Sequence, residues 1–207
     1  MHREILSPEQ IQLLPLLRVF SDMGFYLVGG TAIALDLGHR RSLDFDLFRS
    51  DSYKKSIIIS SIMKEGFGVQ RTLYEDEEQL DVVVNDVKVT FLVYPFEVYP
   101  NQRFDQIITL PSIINLASMK AYALGRRAKW KDYVDLYFVL KKVCSFEDLI
   151  ENTRGLYGDL FNQKLFREQL CYFEDIDYSE KIDYVSGYFV KDDLIRKFLM
   201  TEATEKM

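Results

Sequence analysis

The stretch from Leu27 to Phe48 constrains this chain more than any other: Leu-Val-Gly-Gly-Thr-Ala-Ile-Ala-Leu-Asp-Leu-Gly-His-Arg-Arg-Ser-Leu-Asp-Phe-Asp-Leu-Phe. It starts as a short buried strand, passes a glycine pair into a helix that Gly38 ends, and returns as a second strand carrying Asp44 and Asp46. Alternate strand residues project from one face, so this spacing directs both carboxylates to one side while Leu43, Phe45 and Leu47 enter the core. Two carboxylates held side by side repel unless something positive lies between them. Magnesium suits such a pair, since it takes a few carboxylate oxygens and completes its shell with water and substrate phosphates. Asp44 and Asp46 are therefore the expected metal ligands, and a nucleoside triphosphate (NTP) is the expected source of phosphate.

The residues around the acids have both a structural and a functional reading. Gly29-Gly30 can serve only as a tight turn, or its bare backbone can let N–H groups approach a phosphate at the start of the following helix, where the helix dipole also favours an anion. Thr31 can add a hydroxyl there. The segment is neither a dinucleotide fingerprint nor a Walker loop, because it lacks the later glycine and the Gly-Lys-Ser/Thr ending. In His39-Arg40-Arg41-Ser42, Arg41 fits a solvated turn, whereas Arg40 or Ser42 can meet triphosphate oxygens, the guanidinium in bidentate fashion. His39 reads as a structural hydrogen-bonding group, since metal-assisted phosphoryl transfer needs little acid–base help from it.

A second constellation runs from Leu116 to Tyr137. Small residues around Lys120 let one helix pack closely while its ammonium reaches a phosphate. On the next helix Asp132 and Asp135 share a face at three-residue spacing, and Lys131, a candidate nucleotide contact, can pair with Asp135 at four. Asp135 suits an interhelical salt-bridge network as well as it suits catalysis; Lys120 and Asp132 read as functional.

Around these motifs the chain divides near residue 100. Before it, Ser7-Pro8-Glu9-Gln10 opens a helix to about Met23, helical spacing recurs from Ser52 to Glu65, and strands are expected over Gly68 to Tyr74, Leu80 to Val84 and Val87 to Tyr94. Asn85-Asp86 suits a hairpin turn between the last two. After it, helices are expected over 112–126 and 130–143, from Ser145, over 162–172, and from Lys191 to the tail. The expected class is α+β: a mixed sheet flanked by helices in residues 1–100, then a helical half in residues 101–207 that completes a cleft.

Composition narrows the partners. A net charge of −6 argues against a protein that coats nucleic acid, so any polyanion would meet a local site. Cys144 and Cys171 make no disulfide scaffold, His2 and His39 give no zinc spacing, and neither a signal core nor a membrane span is present, which fits a cytoplasmic protein.

Together the two constellations resemble the AbiEii/AbiGii toxin family of nucleotidyltransferases, a branch of the DNA polymerase beta-like nucleotidyltransferase superfamily. The resemblance rests on Gly29-Gly30, Gly38-His39-Arg40, Asp44-Phe45-Asp46, Lys120 and Arg127 to Asp135. It implies a nucleotidyltransferase fold that binds NTP and magnesium and transfers a nucleoside monophosphate with release of pyrophosphate. By that likeness Asp44 and Asp46 hold the metal, Gly29, Gly30 and Ser42 contact the triphosphate, Lys120 neutralises phosphate charge, and Asp132 orients or deprotonates the acceptor hydroxyl. The implied acceptor is an RNA end, tRNA first, and the implied partner an antitoxin; a small molecule or protein hydroxyl as acceptor, or a nucleotide-binding module without transfer chemistry, are the alternatives. Many superfamily members place a third acid on a later strand, where Val87 to Val93 offers Thr90. Either one magnesium suffices, or Asp132 or Asp135 completes the site, with Asp81 and Asp86 as other substitutes, although Asp86 suits the turn.

Overall fold

In the computed structural model, which describes residues 1–124 and 126–205, the chain opens with two short helices, α1 (Pro8–Gln12) and α2 (Leu14–Asp22). The sequence suggested one helix here. Pro15 splits it, because proline has no N–H for the preceding turn and fits only the first turn of a new helix. Then follow β1 (Tyr26–Val28), α3 (Gly29–Leu37), β2 (Phe45–Arg49), α4 (Lys55–Lys64) and the meander β3 (Val69–Glu75), β4 (Gln79–Val84) and β5 (Val87–Val93). Asn85 and Asp86 both take positive φ, 49° and 61°, as a two-residue hairpin turn demands.

The sheet order is β1-β2-β5-β4-β3. β2 runs parallel to β5 and all other neighbours are antiparallel, so the sheet is mixed as expected. Phe45, Leu47, Val89, Phe91, Leu80 and Val82 are buried on one face, where Phe91 meets Phe20 and Phe25 edge-on. Asp46, Thr90 and Asp81 alternate with them and fall in one row across the other face.

A small hairpin, β6 (Gln102–Phe104) and β7 (Ile108–Leu110), leads into the helices α5 (Ile113–Leu124), α6 (Trp130–Lys142), α7 (Phe146–Tyr157), α8 (Gln163–Cys171) and α9 (Asp192–Thr204). Gly125, inside the helix expected over 112–126, and the last two residues of the tail lie outside the described residues. Ser145 caps α7 through a reciprocal box with Asp148. Buried apolar side chains from both halves of the chain form one continuous core. Among the described residues no helix is long and apolar enough to cross a membrane.

Candidate active site

The glycine pair is where β1 ends and α3 begins. Asp46 lies opposite Val28 in the sheet, which brings its carboxylate against the next residue, Gly29. A Cβ on Gly29 would sit 2.0 Å from Asp46 Oδ2, and φ is +72°, so only glycine fits. A Cβ on Gly30 would meet Arg40 Nη2 at 2.5 Å and Ser42 Oγ at 3.0 Å. The pair thus lets the acid strand and the basic turn close onto the helix start.

Several expected roles change once the fold is formed. Thr31 is buried and its hydroxyl donates to the Asp44 carbonyl oxygen, so it fixes the acid segment instead of reaching out to phosphate. That bond ties Asp44 to α3 before the β2 ladder starts at Phe45; Leu43, expected in the core, is 65% exposed. Ser42 is partly buried at Gly30, and its carbonyl accepts from Gln10 Nε2 at 2.9 Å. Gln10, read in the sequence only as a helix cap, makes that cap and also braces the site loop.

Arg40, expected at triphosphate oxygens, is buried and donates from Nε and Nη2 to the two oxygens of Asp135, at 2.7 and 2.8 Å. His39 Nε2 hydrogen-bonds Asp135 Oδ1 at 2.8 Å, and Lys120 Nζ lies 3.0 Å from Asp135 Oδ2. Asp135 is the hub of a buried network, the structural alternative that the sequence left open. Its expected pairing with Lys131 is replaced by these three partners. Burial raises its carboxyl pKa, yet Arg40 and Lys120 outweigh that and hold it well below the usual range. Burial depresses the His39 pKa despite Asp135, and the carboxylate, which can only accept, takes its hydrogen bond from Nε2–H.

Lys120 is buried between Asp132 Oδ1 and Asp135 Oδ2, and these acids keep it charged against the cost of burial. Asp132 is fully buried; its Oδ2 has no hydrogen-bond partner and lies 3.8 Å from Nε of the exposed Arg127. Lys131 Nζ stands 4.0 Å from Asp44 Oδ2 and also hydrogen-bonds Glu180. The pKa of Asp46 is raised by burial and then by Asp44, against the opposing pull of Arg127, Lys120 and Lys131. The helical half therefore presents three cations to the acids of the sheet.

Glu180 is a site residue that no motif reveals. It belongs to the long connection between α8 and α9, which bonds to both motif segments: Arg41 N donates to Asp183 O at 2.8 Å, Val185 N to His39 O at 3.1 Å, and Trp130 N to Asp177 O at 3.1 Å. Partial burial raises the Glu180 carboxyl, but Lys129 and Lys131 bring it down to about 2. Its only sequence signal is an acid in a loop, and such a signal has no specificity.

No protein-family model matches the sequence. The chain is 30% identical over 159 residues to the uncharacterized protein aq_aa25 of Aquifex aeolicus (strain VF5), a match spanning 73% of this chain and 74% of that one. The chain belongs to the aq_aa25 family. Among solved structures, MenT4, a nucleotidyltransferase toxin from Mycobacterium tuberculosis H37Rv, is similar with a TM-score of 0.57 at 17% identity, over 96% of this chain and 85% of that one. JHP933 from Helicobacter pylori is similar with a TM-score of 0.59 at 14% identity, over 96% and 91%. This aq_aa25-family chain has the nucleotidyltransferase fold.

Thr90, where the resemblance would lead one to look for a third acid, lies directly beside Asp46. Asp81 lies one strand further, accepting from Gln79 Nε2 and paired with Lys88 Nζ, both at 2.8 Å. Asp132 and Asp135 are engaged by Lys120, and Asp86 is a turn residue. Among the described residues no group of three histidine, cysteine or acidic side chains is placed to hold a metal. The Asp44–Asp46 pair of this aq_aa25-family chain still fits magnesium: its oxygens are hard donors, and the Asp46 carboxylate is cradled where the Gly29 Cβ would lie.

Proposed function

We propose that this aq_aa25-family protein is a magnesium-dependent nucleotidyltransferase of the AbiEii kind, which transfers a nucleoside monophosphate from NTP to a hydroxyl of an RNA end, tRNA being the favoured acceptor. The observation that carries this reading is the opposition of Asp44, just before β2, and Asp46, within it, to Lys120, Lys131 and Arg127 from the helical half. Acids that collect a divalent cation face bases that collect phosphates.

Asp44 and Asp46 would hold the magnesium. When bound, it supplies positive charge to the phosphoryl oxygens and to the departing pyrophosphate. The α3 N-terminus at Gly29-Gly30 offers backbone N–H groups to the triphosphate, as does Ser42 its hydroxyl beside Gly30. Lys131 and exposed Arg127 meet the phosphate oxygens, and Lys120 adds a fixed charge behind them. The acceptor oxygen bonds to the α-phosphorus, the bond from that phosphorus to the α,β-bridging oxygen breaks, and pyrophosphate leaves. The hydroxyl proton passes to Asp132 Oδ2, which carries no hydrogen bond while Oδ1 is held by Lys120; Oδ2 is buried beside Arg127, so the transfer requires the exposed Arg127 side chain to turn from it to the phosphates. Arg40, His39 and Asp135 position this machinery from below.

The test is to incubate purified protein with magnesium, each α-labelled NTP in turn, and total RNA or cell lysate. Label on RNA that vanishes with Asp44→Ala or Asp46→Ala supports the proposal. Label on a small molecule or a protein moves the acceptor elsewhere, and NTP binding without transfer means a binding module. An antitoxin partner is part of the proposal and is sought as a small protein, encoded next to this one, that co-purifies and suppresses labelling.

A further inference from the structure

The row Asp46, Thr90, Asp81 places Lys88 in an unusual position. β5 runs parallel to β2 with Thr90 beside Asp46, so Lys88, two residues earlier on the same face, extends toward the level of Asp44. Its ammonium is anchored 2.8 Å from Asp81 Oδ2, while Asp81 is itself nearly buried and held by Gln79. The Lys88 side chain is 39% exposed, and it lies within the field of both Asp46 and Asp44. A cation thus stands beside the acid pair, next to the strand position where a third carboxylate would recruit a second metal.

We propose that Lys88 supplies this second positive charge, so that the site operates with one divalent cation and an ammonium. The proposal rests on the nucleotidyltransferase reading and adds a substrate-facing residue to it. Two facts favour it over an ordinary surface salt bridge. Asp81 lies on β4, across β5 from Asp46, and holds the Lys88 ammonium at the sheet face that also carries Asp46 and Thr90. Thr90 is buried and has no charge, so nothing at that position competes for a second cation. A fixed ammonium also donates hydrogen bonds without having to be recruited from solution, and it stabilises growing oxyanion charge as a preorganised donor does.

The experiment counts metal as well as activity. Binding of manganese to the full-length protein, with an α,β-methylene NTP analogue present, is titrated by electron paramagnetic resonance. One tightly bound ion per chain is expected for the natural sequence. Lys88→Gln should keep that ion and the nucleotide KM but lower kcat by about 100-fold, the usual loss for one preorganised donor. Lys88→Arg, which keeps the charge, should recover much of the rate. The paired change Lys88→Gln with Thr90→Asp should take up a second ion. Thermal melting of each variant confirms that it folds; a purely structural Lys88 would shift the melt and leave kcat alone. Two ions on the natural protein, or an unchanged kcat in folded Lys88→Gln, overturn the role of Lys88 while leaving nucleotidyl transfer intact. No manganese binding with the analogue overturns both.

Discussion

Asp135→Asn tests the buried hub most directly. The substitution keeps the shape and removes the charge that accepts two bonds from Arg40, one from His39 and a contact from Lys120, all within 3.0 Å. Arg40 is 3% exposed and Lys120 6%, so water cannot replace the lost partner. Lys120 retains Asp132, but Arg40 keeps only neutral acceptors, among them the Arg41 carbonyl at 3.0 Å. Breaking a buried ion pair on one side costs about 3–5 kcal/mol. At roughly 2–4 °C per kcal/mol for a domain of this size, the melting temperature should fall by roughly 6–20 °C. The assay is urea and thermal denaturation of the natural protein, Asp135→Asn, Arg40→Gln and the double variant. Coupling of more than about 1 kcal/mol between the two sites is expected, as for contacting residues. The pH dependence has a definite sign. The folded Asp135 pKa lies below its unfolded value of about 3.9, so its stabilisation is complete above that value and is lost as pH falls through the folded one. A loss below about 1 kcal/mol on Asp135→Asn, with no coupling to Arg40, would refute the hub.

Other outcomes follow from the same geometry. Gly29→Ala should abolish nucleotide transfer and destabilise by about 1–3 kcal/mol, because a left-handed backbone and a Cβ 2.0 Å from Asp46 Oδ2 cannot coexist with the acid's position; a folded, fully active variant would contradict this. Asp46→Asn should raise the metal-free melting temperature at pH 7 while eliminating transfer: the carboxyl's folded pKa is raised by burial and Asp44, so its charge costs stability as pH rises through that value. A lower melting temperature would mean that the two acids do not repel. Glu180→Gln should release Lys131 and Lys129 to phosphate and lower the NTP KM by a few fold, with a stability change below about 1 kcal/mol because the pair is half exposed; steady-state kinetics would show an unchanged KM if Glu180 does not compete with phosphate.

Much of the fold is legible because it is encoded locally. The hairpin at Asn85-Asp86 follows from residues that tolerate positive φ, the α7 start from the Ser145–Asp148 box, and the β4–β5 meander from apolar alternation. The pairs Gly29-Gly30 and Asp44-Asp46 are legible as a candidate site because glycine freedom and like-charge crowding are properties of the residues themselves. Pro15 is the instructive exception. A local signal was present, but the apolar spacing on both sides of it continues through the break, so periodicity alone conceals the division into α1 and α2.

The residue order alone supplies the chemical groups, a pair of acids around the start of a strand and a later run of bases, and most of the local elements that carry them. Which of these groups are spent on one another depends on the folded chain. Asp135 meets His39 and Arg40 across separations of 96 and 95 residues, Glu180 reaches Lys131 across 49, and Lys88 comes to stand beside Asp44 and Asp46 through the parallel pairing of β2 with β5. Charge interactions depend on distance and burial, which a linear spacing does not specify once the partners lie on different elements. For that reason Arg40 is read from its neighbours as a phosphate ligand and is found in the fold as the guanidinium that keeps a buried carboxylate charged.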